Sequence, residues 1–351
     1  MAPKKRLPSQ NVKDEFVSEI VWAANMRRRD FILVLGGATA LLSGAPHAQQ
    51  AAKVRRIGYL GFGPASSWTS EVEALRKGLR DLGYVEGKNV IIEFRWAERT
   101  DQTFDLANEL IRMNVDVIFA PASTQVEPAR RATNTIPIVF AQHADPVGLG
   151  DVASLSHPGG NITGMSMLLT EIAVKELEIL KEAIPEATQV GVLWNPTTPS
   201  HPTAVRAVEA ASEKLGVQLV LAPAGAAPEL HDAFATIARE HVNGVLVLSS
   251  PLYNAQGATL AELQMRYRLP AIFANGATVA DGGLMSYGAD LDDLYRRAAA
   301  YIDKIFKGER PADLPVEQAS KYRMVINLKT AKALGISLPA TVLARADEVI
   351  E

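Results

Sequence analysis

The sequence predicts an α/β protein of two Rossmann-like βαβ lobes with a cleft between them. Three observations carry that prediction: apolar strand-like runs alternate with helix-length stretches, their order occurs twice, and a breaker-rich stretch separates the two occurrences. The first occurrence opens on Ile57-Gly58-Tyr59-Leu60, followed by a Gly/Pro/Ser turn, a helix and the strand Val90-Ile91-Ile92-Glu93-Phe94. Val190-Gly191-Val192-Leu193-Trp194 opens the second. Each half then adds a helix and a buried strand, 104–113 leading into 117–120 and 230–239 leading into 244–248. The closing strands are alike in their letters, Ile136-Pro137-Ile138-Val139-Phe140-Ala141 against Leu269-Pro270-Ala271-Ile272-Phe273-Ala274. Residues 145–166 hold Pro146, Pro158 and four glycines before Asn161, which suits a crossover between lobes with the functional cleft beside it.

Composition permits this architecture. A chain of 351 residues, 48% hydrophobic and 21% charged, can bury two ordinary cores. The N-terminus reads differently. Arg27-Arg28-Arg29, the apolar run 33–42 and small residues at 45–52 form an export signal, and Arg28-Arg29-Asp30-Phe31-Ile32 resembles the twin-arginine type. The apolar run is shorter than the ~20 residues that span a bilayer, so cleavage is expected and not anchoring. The chain has no cysteine, which excludes thiol catalysis, cysteine metal sites and disulfides, and leaves the mature protein free in the periplasm. Residues 1–48 hold seven basic and four acidic residues of the chain's 36 and 39, so 29 and 35 remain, a net of −6. That balance argues against nucleic acid or an anionic membrane surface as a partner.

Taken in order, the turn 61–67 precedes a helix signalled by Ser70 and Glu73 as a capping box. Val72, Leu75, Leu79 and Leu82 form its apolar stripe, and Gly83 its C-cap. Ligands of open α/β sheets bind at such strand ends, which makes Ser66, Ser67 and the adjoining Trp68 candidate contacts. Gly61-Phe62-Gly63 supplies two glycines of a dinucleotide fingerprint, but Ser66 holds the third position and no acidic residue closes the next strand. At the next strand end, Ala122, Ser123 and Thr124 combine small size with hydroxyls at a helix start, a place suited to a carboxylate; an N-cap with Glu127 three residues on is the structural alternative.

His143 and Asp145 follow the fourth strand. Asp145 is expected to meet a ligand ammonium, and a catalytic pair is disfavoured because no G-x-S-x-G elbow is present. The second lobe offers matching loops with Asn195, Ser249, Tyr253 and Asn275 as candidate contacts, and Phe62, Trp68, Trp194, Tyr253 and Tyr287 as aromatics that serve either cleft or core. The strand 283–288, the helix 291–306 and the segment from Pro315 onward complete three connections between lobes, the arrangement of a hinge. The expected division is 1–52 for the export signal and N-terminus, 53–163 with 284–314 for lobe 1, and 164–283 with 315–351 for lobe 2.

Several runs then carry a family resemblance. They are 136–140, Asp145-Pro146-Val147-Gly148, Pro158-Gly159-Gly160-Asn161-Ile162-Thr163-Gly164, 308–311, Leu314-Pro315-Val316-Glu317-Gln318 and 325–332. In order and spacing, from about Arg55 to Pro339, the chain strongly resembles substrate-binding proteins of bacterial ABC importers, in the branch that includes binders of aromatic amino acids. The resemblance implies the type I periplasmic binding-protein architecture with three crossovers, a small ligand held between closing lobes, and delivery to a membrane permease. No cofactor, metal or enzymatic activity is implied, and a monomer is expected. The chain lacks the lipid-bearing cysteine of the lipoprotein members. A binding protein serving a sensor, and a periplasmic enzyme using the same cleft, are the alternatives.

Overall fold

The computed structural model describes residues 54–351; the expected export signal lies outside the described residues. The first half lays down β1 (Arg55–Phe62), α1 (Thr69–Asp81), β2 (Val90–Ala97), α2 (Thr103–Arg112), β3 (Val117–Phe119), α3 (Ser123–Ala132), β4 (Ile138–His143) and β5 (Ile162–Ser166). The second half repeats that order. It runs α4 (Leu169–Ala183), β6 (Gln189–Trp194), α5 (His201–Leu215), β7 (Gln218–Pro223), α6 (Leu230–Arg239), β8 (Gly244–Val247), α7 (Pro251–Ala255), α8 (Gly257–Tyr267), β9 (Ala271–Phe273), α9 (Gly276–Ala280) and β10 (Met285–Ala289). The chain ends on α10 (Leu291–Phe306), β11 (Glu317–Gln318), β12 (Tyr322–Asn327), α11 (Leu328–Leu334), α12 (Ala340–Leu343) and β13 (Glu348–Ile350).

Two sheets result, one in the order β11-β5-β4-β3-β1-β2 and one in the order β13-β12-β10-β9-β8-β6-β7. Within them the strand orders 2-1-3-4-5 and 7-6-8-9-10 are the same doubly wound pattern, parallel throughout. Such strands are covered on both faces, which is why they read as continuous apolar runs: Ile57, Leu60, Val117, Ile118, Phe119, Val190, Val192, Leu193, Val245 and Leu246 are all fully buried. Among the described residues, β12 enters antiparallel against β10, and β13 runs alongside β12 in the same direction.

Strand pairing moves three expected lobe boundaries. Residues 164–166 stay with the first sheet, because Val139 and Phe140 pair with Thr163 and Gly164, and His143 with Ser166. The crossing is therefore at Met167-Leu168, after the stretch expected to hold it, and Leu168 takes a left-handed φ of 57° there. Met285 and Ser286, expected in lobe 1, pair with Ile272 and Phe273 of β9 and so belong to the second sheet. Glu317 and Gln318, expected in lobe 2, pair with Met165 and Ser166 in the first. The helix α10 crosses back between those segments and packs along α1, burying Leu294, Tyr295, Ala298 and Ile302. Its N-cap is Asp290, whose carboxylate accepts the Asp293 N–H at 3.0 Å. The expected capping box of α1 is not formed: Ser70 Oγ donates to Asp292 on α10 at 2.8 Å, tying the two helices at the hinge.

Candidate functional site

Strand ends of both lobes meet across the cleft. α7 of the second lobe packs against β1 and the turn 65–68 of the first, so this is a closed arrangement. Two small adjoining spaces remain between the lobes, of about 10 and 20 Å³, with Gln142 and Pro251 lining both. One has an aromatic wall, the other a hydroxyl wall.

The hydroxyl wall comes from Ser123 and Thr124 at the start of α3, facing Thr198 and Ser249 of the second lobe. Neither first-lobe hydroxyl is the helix cap. The N-cap is Ala122, and its N–H donates to Gln125 Oε1 at 3.2 Å, so the Gln125 side chain does the capping. Thr124 Oγ1 also donates to Gln125, at 3.1 Å, whereas Ser123 Oγ accepts the Ala144 N–H at 3.4 Å and keeps its own proton for a ligand. The first N–H groups of a ten-residue helix lie beside it, donors of the kind that suit an anion.

Opposite, the loops after β6 and β8 are clamped by His201. Its Nδ1 accepts the Asn195 N–H at 2.9 Å, and Nε2 donates to the Ser249 carbonyl at 2.8 Å. Burial pushes the His201 pKa down to about 4, so the ring is neutral and the clamp carries no charge. Asn195 serves the same clamp, receiving Thr197 N–H at 2.8 Å and donating to Ser250 Oγ at 3.1 Å.

The aromatic wall is made by Tyr59, Phe62, Trp68, Trp96 and Tyr295. Gln142 Nε2 donates to Tyr295 OH at 2.9 Å, and Tyr295 in turn meets Tyr59. Burial raises both phenols far above their ordinary range, so both stay protonated and neutral. Among the described residues no carboxylate or cation lines either inner space.

That neutrality corrects part of the sequence expectation. Ala122, Ser123, Thr124, Ser249 and Trp68 line the inner spaces. Asp145 does not: its Oδ1 accepts the Gly148 N–H at 2.8 Å and closes the Asp-Pro turn. His143 does not either. Its Nδ1 accepts the Asp145 N–H at 3.2 Å, so Nε2 carries the proton and donates to Asp151 Oδ2 at 2.9 Å, while Arg130 Nε stands 3.0 Å from the other carboxylate oxygen as an ion pair. Ser66 is exposed, Ser67 half-buried, and neither lines these spaces, because the turn 65–68 is a short 3-10 helix that points only Trp68 inward. Tyr253 is a core residue of the second lobe, its hydroxyl donating to the Ala224 carbonyl at 2.9 Å. Asn275 caps α9 through Ala277 N–H and lines a different cavity of about 270 Å³ at the hinge, with Asp292, Arg323 and Glu71. Burial, with Asp292 adding to it, raises the Glu71 pKa to about 7.

The sequence did not single out Tyr59, Trp96, Gln125, Gln142, Thr198 or Tyr295. Trp96 lies two residues past the strand expected at 90–94: β2 runs on to Ala97 and pairs Trp96 with Gly61. Tyr295 stands four residues after Leu291 and three before Ala298, on the buried face of α10, where helical spacing reads it as core and gives no sign that it reaches the cleft. Beyond Phe62 and Trp96 the cleft widens into a mouth cavity of about 800 Å³, lined by Leu252, Pro228 and Gln256 from the second lobe and by Arg99 and Asp101, paired with each other, from the first.

Comparison with known proteins agrees with this geometry. A family model described as ABC transporter substrate binding protein matches residues 64–350. A tyrosine-binding protein of Clostridioides difficile (strain R20291) is 27% identical over 259 residues, covering 74% of each chain. The crystal structure of an ABC domain in complex with L-Trp from Streptococcus pneumonia superposes with a TM-score of 0.79 at 27% identity, covering 84% of this chain and 99% of that one. The ligand-free, open structure of a substrate-binding protein with adhesive properties from Clostridium difficile gives 0.61 at 25% identity, over 85% and 99%. At matched identity and coverage, the chain is closer in shape to the ligand complex than to the open form.

Proposed function

The chain belongs to the ABC transporter substrate-binding protein family, and we propose that its ligand is an amino acid with an aromatic or branched side chain, delivered from the periplasm to a membrane permease. The observation that carries this is the division of one interlobe cleft into a hydroxyl end at the start of α3 and a neutral aromatic end around Tyr59 and Tyr295. A carboxylate takes Ser123 Oγ and the α3 N–H groups, and the side chain lies on the aromatic wall. The ammonium is held by uncharged acceptors, with Gln142 Oε1 and the hydroxyls of Thr198 and Ser249 nearest to hand, and not by Asp145. Support for the ligand class comes from the tyrosine-binding relative and from the L-Trp complex.

The role is binding without turnover: His143 is sealed against Asp151, and both walls are made of groups that stay neutral. A single chain supplies both walls, so the monomer is the binding unit. Export rests on Arg28-Arg29 and the short apolar run that follows. Titration calorimetry with the twenty amino acids tests the ligand: tightest binding of an aromatic or branched member is expected, and tightest binding of a neutral sugar would falsify the assignment. Changing Arg28 and Arg29 to Lys is expected to hold the chain in the cytoplasm; undiminished export would rule out the twin-arginine route.

A further inference from the structure

The two inner spaces, at about 10 and 20 Å³, have room for little more than one water each, which needs ~10–15 Å³. Small-molecule pockets usually run to ~300–1,000 Å³. Separating the lobes admits a ligand, but lobes that close again to this arrangement must find its room by moving a side chain. Most of the aromatic wall is pinned. Trp68 Nε1 donates to the Phe62 carbonyl at 2.6 Å, and Tyr295 is held by Gln142 and Tyr59, all of them buried.

Trp96 is not pinned. Its indole N–H makes no hydrogen bond among the described residues, it is half-buried, and with Phe62 it lines both the inner aromatic space and the mouth cavity of about 800 Å³. It is held by packing on the core and by ring contacts, with Tyr59 at 5.1 Å between centroids and Phe94 stacked at 6.1 Å, and by no hydrogen bond of its side chain. It lies over Gly61, its register partner on β1, where a Cβ would fall 2.1 Å from the indole Cε3.

We propose that Trp96 is a displaceable shutter that sets which ligand bodies the cleft admits: a flat ring takes the indole's place above Gly61 and against Tyr59, and the indole turns into the mouth cavity. The identity of the ring-bearing ligand rests on the amino-acid reading above; the shutter itself does not. Every ligand that enters must break the ring contacts of Trp96, and the displaced indole, which borders both the inner space and the mouth, regains a ring contact from a ligand ring but not from an aliphatic body. The shutter therefore discriminates by flatness as well as by size.

The full chain grown with fluorotryptophan has one fluorine resonance for each of its four tryptophans, and Trp96→Phe identifies that of residue 96. Without ligand, Gly61→Ala is expected to expose the Trp96 resonance to a soluble gadolinium chelate, because a methyl group and the indole cannot share that space. If Gly61→Ala melts cooperatively and its Trp96 resonance stays as shielded as in the wild type, the shutter is overturned whether or not any amino acid binds. With L-tyrosine bound to saturation, the wild-type Trp96 resonance is expected to gain the same accessibility. Trp96→Ala is expected to narrow the affinity ratio of L-tyrosine to L-leucine by about fivefold to tenfold. Calorimetric binding with an unmoved Trp96 and an unchanged ratio overturns the shutter and leaves the ligand class standing. No binding of L-tyrosine, L-tryptophan or L-leucine overturns the ligand class, and the Gly61→Ala result then decides the shutter alone.

Discussion

Ser123 and Asp145 lie at neighbouring strand ends, yet only one of them is available to a ligand, and the difference is where their existing hydrogen bonds go. Ser123 accepts from Ala144, retains a donor and lines the inner space, whereas the Asp145 carboxylate lies outside it, turned back onto the Gly148 N–H. A hydrogen bond to a charged group is worth about 1.5–3 kcal/mol, so Ser123→Ala should weaken binding of L-tyrosine by roughly tenfold or more. Asp145→Ala should leave affinity within about twofold and lower stability by ~1 kcal/mol through the lost turn bond. Calorimetry and thermal denaturation of the two variants distinguish these outcomes; a tenfold loss in Asp145→Ala would restore the charge-paired ammonium. Glu176 on α4 is fully buried with neither carboxylate oxygen hydrogen-bonded, and burial raises its pKa well above the ordinary 4.5. The folded protein thus keeps the proton that the unfolded chain releases above pH 4.5. The stability due to the neutral acid is complete below that pH and is lost as pH rises toward the folded pKa. Glu176→Gln should be more stable than wild type above pH 4.5, the gap widening by about 1.4 kcal/mol per pH unit. Denaturant titrations at pH 5, 6 and 7 check the slope, and parallel curves would mean that Glu176 is paired and ionised.

At the scale of elements, β5 is the last strand of the first lobe before the chain crosses over, and its place depends on a close backbone approach. A Cβ on Gly164 would fall 2.0 Å from the Phe140 carbonyl oxygen on β4, and its φ of 148° is one that side chains rarely adopt. Gly164→Ala should cost about 2–4 kcal/mol, from steric displacement of β5 and backbone strain together. The shift in the urea midpoint measures it; a loss below ~1 kcal/mol would show that β5 can slide without disturbing the crossover. The strain at Leu168 immediately afterwards belongs to the same connection, where the chain leaves one sheet and starts α4 from a left-handed residue. α1 and α10 complete the hinge region through the Ser70–Asp292 bond, with Glu71 buried beside it.

For the whole molecule, closure is the property that couples the two walls. The hydroxyls of Ser123 and Thr198 line one space only when the lobes meet, so a ligand that touches both stabilises the closed population by its differential affinity. Small-angle scattering should therefore show a smaller radius of gyration with saturating L-tyrosine than without ligand, consistent with a shape that matches the L-Trp complex at a TM-score of 0.79 and the open, ligand-free structure at 0.61. An unchanged radius under conditions where calorimetry shows binding would mean that the lobes stay closed throughout.

The sequence by itself determined the two-lobed α/β architecture, because the apolar runs of Ile57–Leu60, Val190–Trp194 and their successors encode strands locally and the repeat encodes their order. It also placed Ala122, Ser123, Thr124 and Ser249 in the cleft, since small or hydroxyl-bearing residues just past the carboxyl end of a parallel strand face the crevice there. What the tertiary structure decided was which polar groups were already spent and which aromatics turned inward. His143 and Tyr253 are taken up by Asp151 and Ala224, partners that no spacing rule selects, while Asp145 and Asn195 turn onto Gly148 and Thr197 in local turns that compete with a ligand. Trp96 and Tyr295 reach one wall from segments about 200 residues apart, and Gly61 matters only because an indole from the neighbouring strand lies on it. Periodicity along the chain encodes where a residue points within its own element. Whether it meets a ligand depends on distant elements competing for the same hydrogen bonds and the same space.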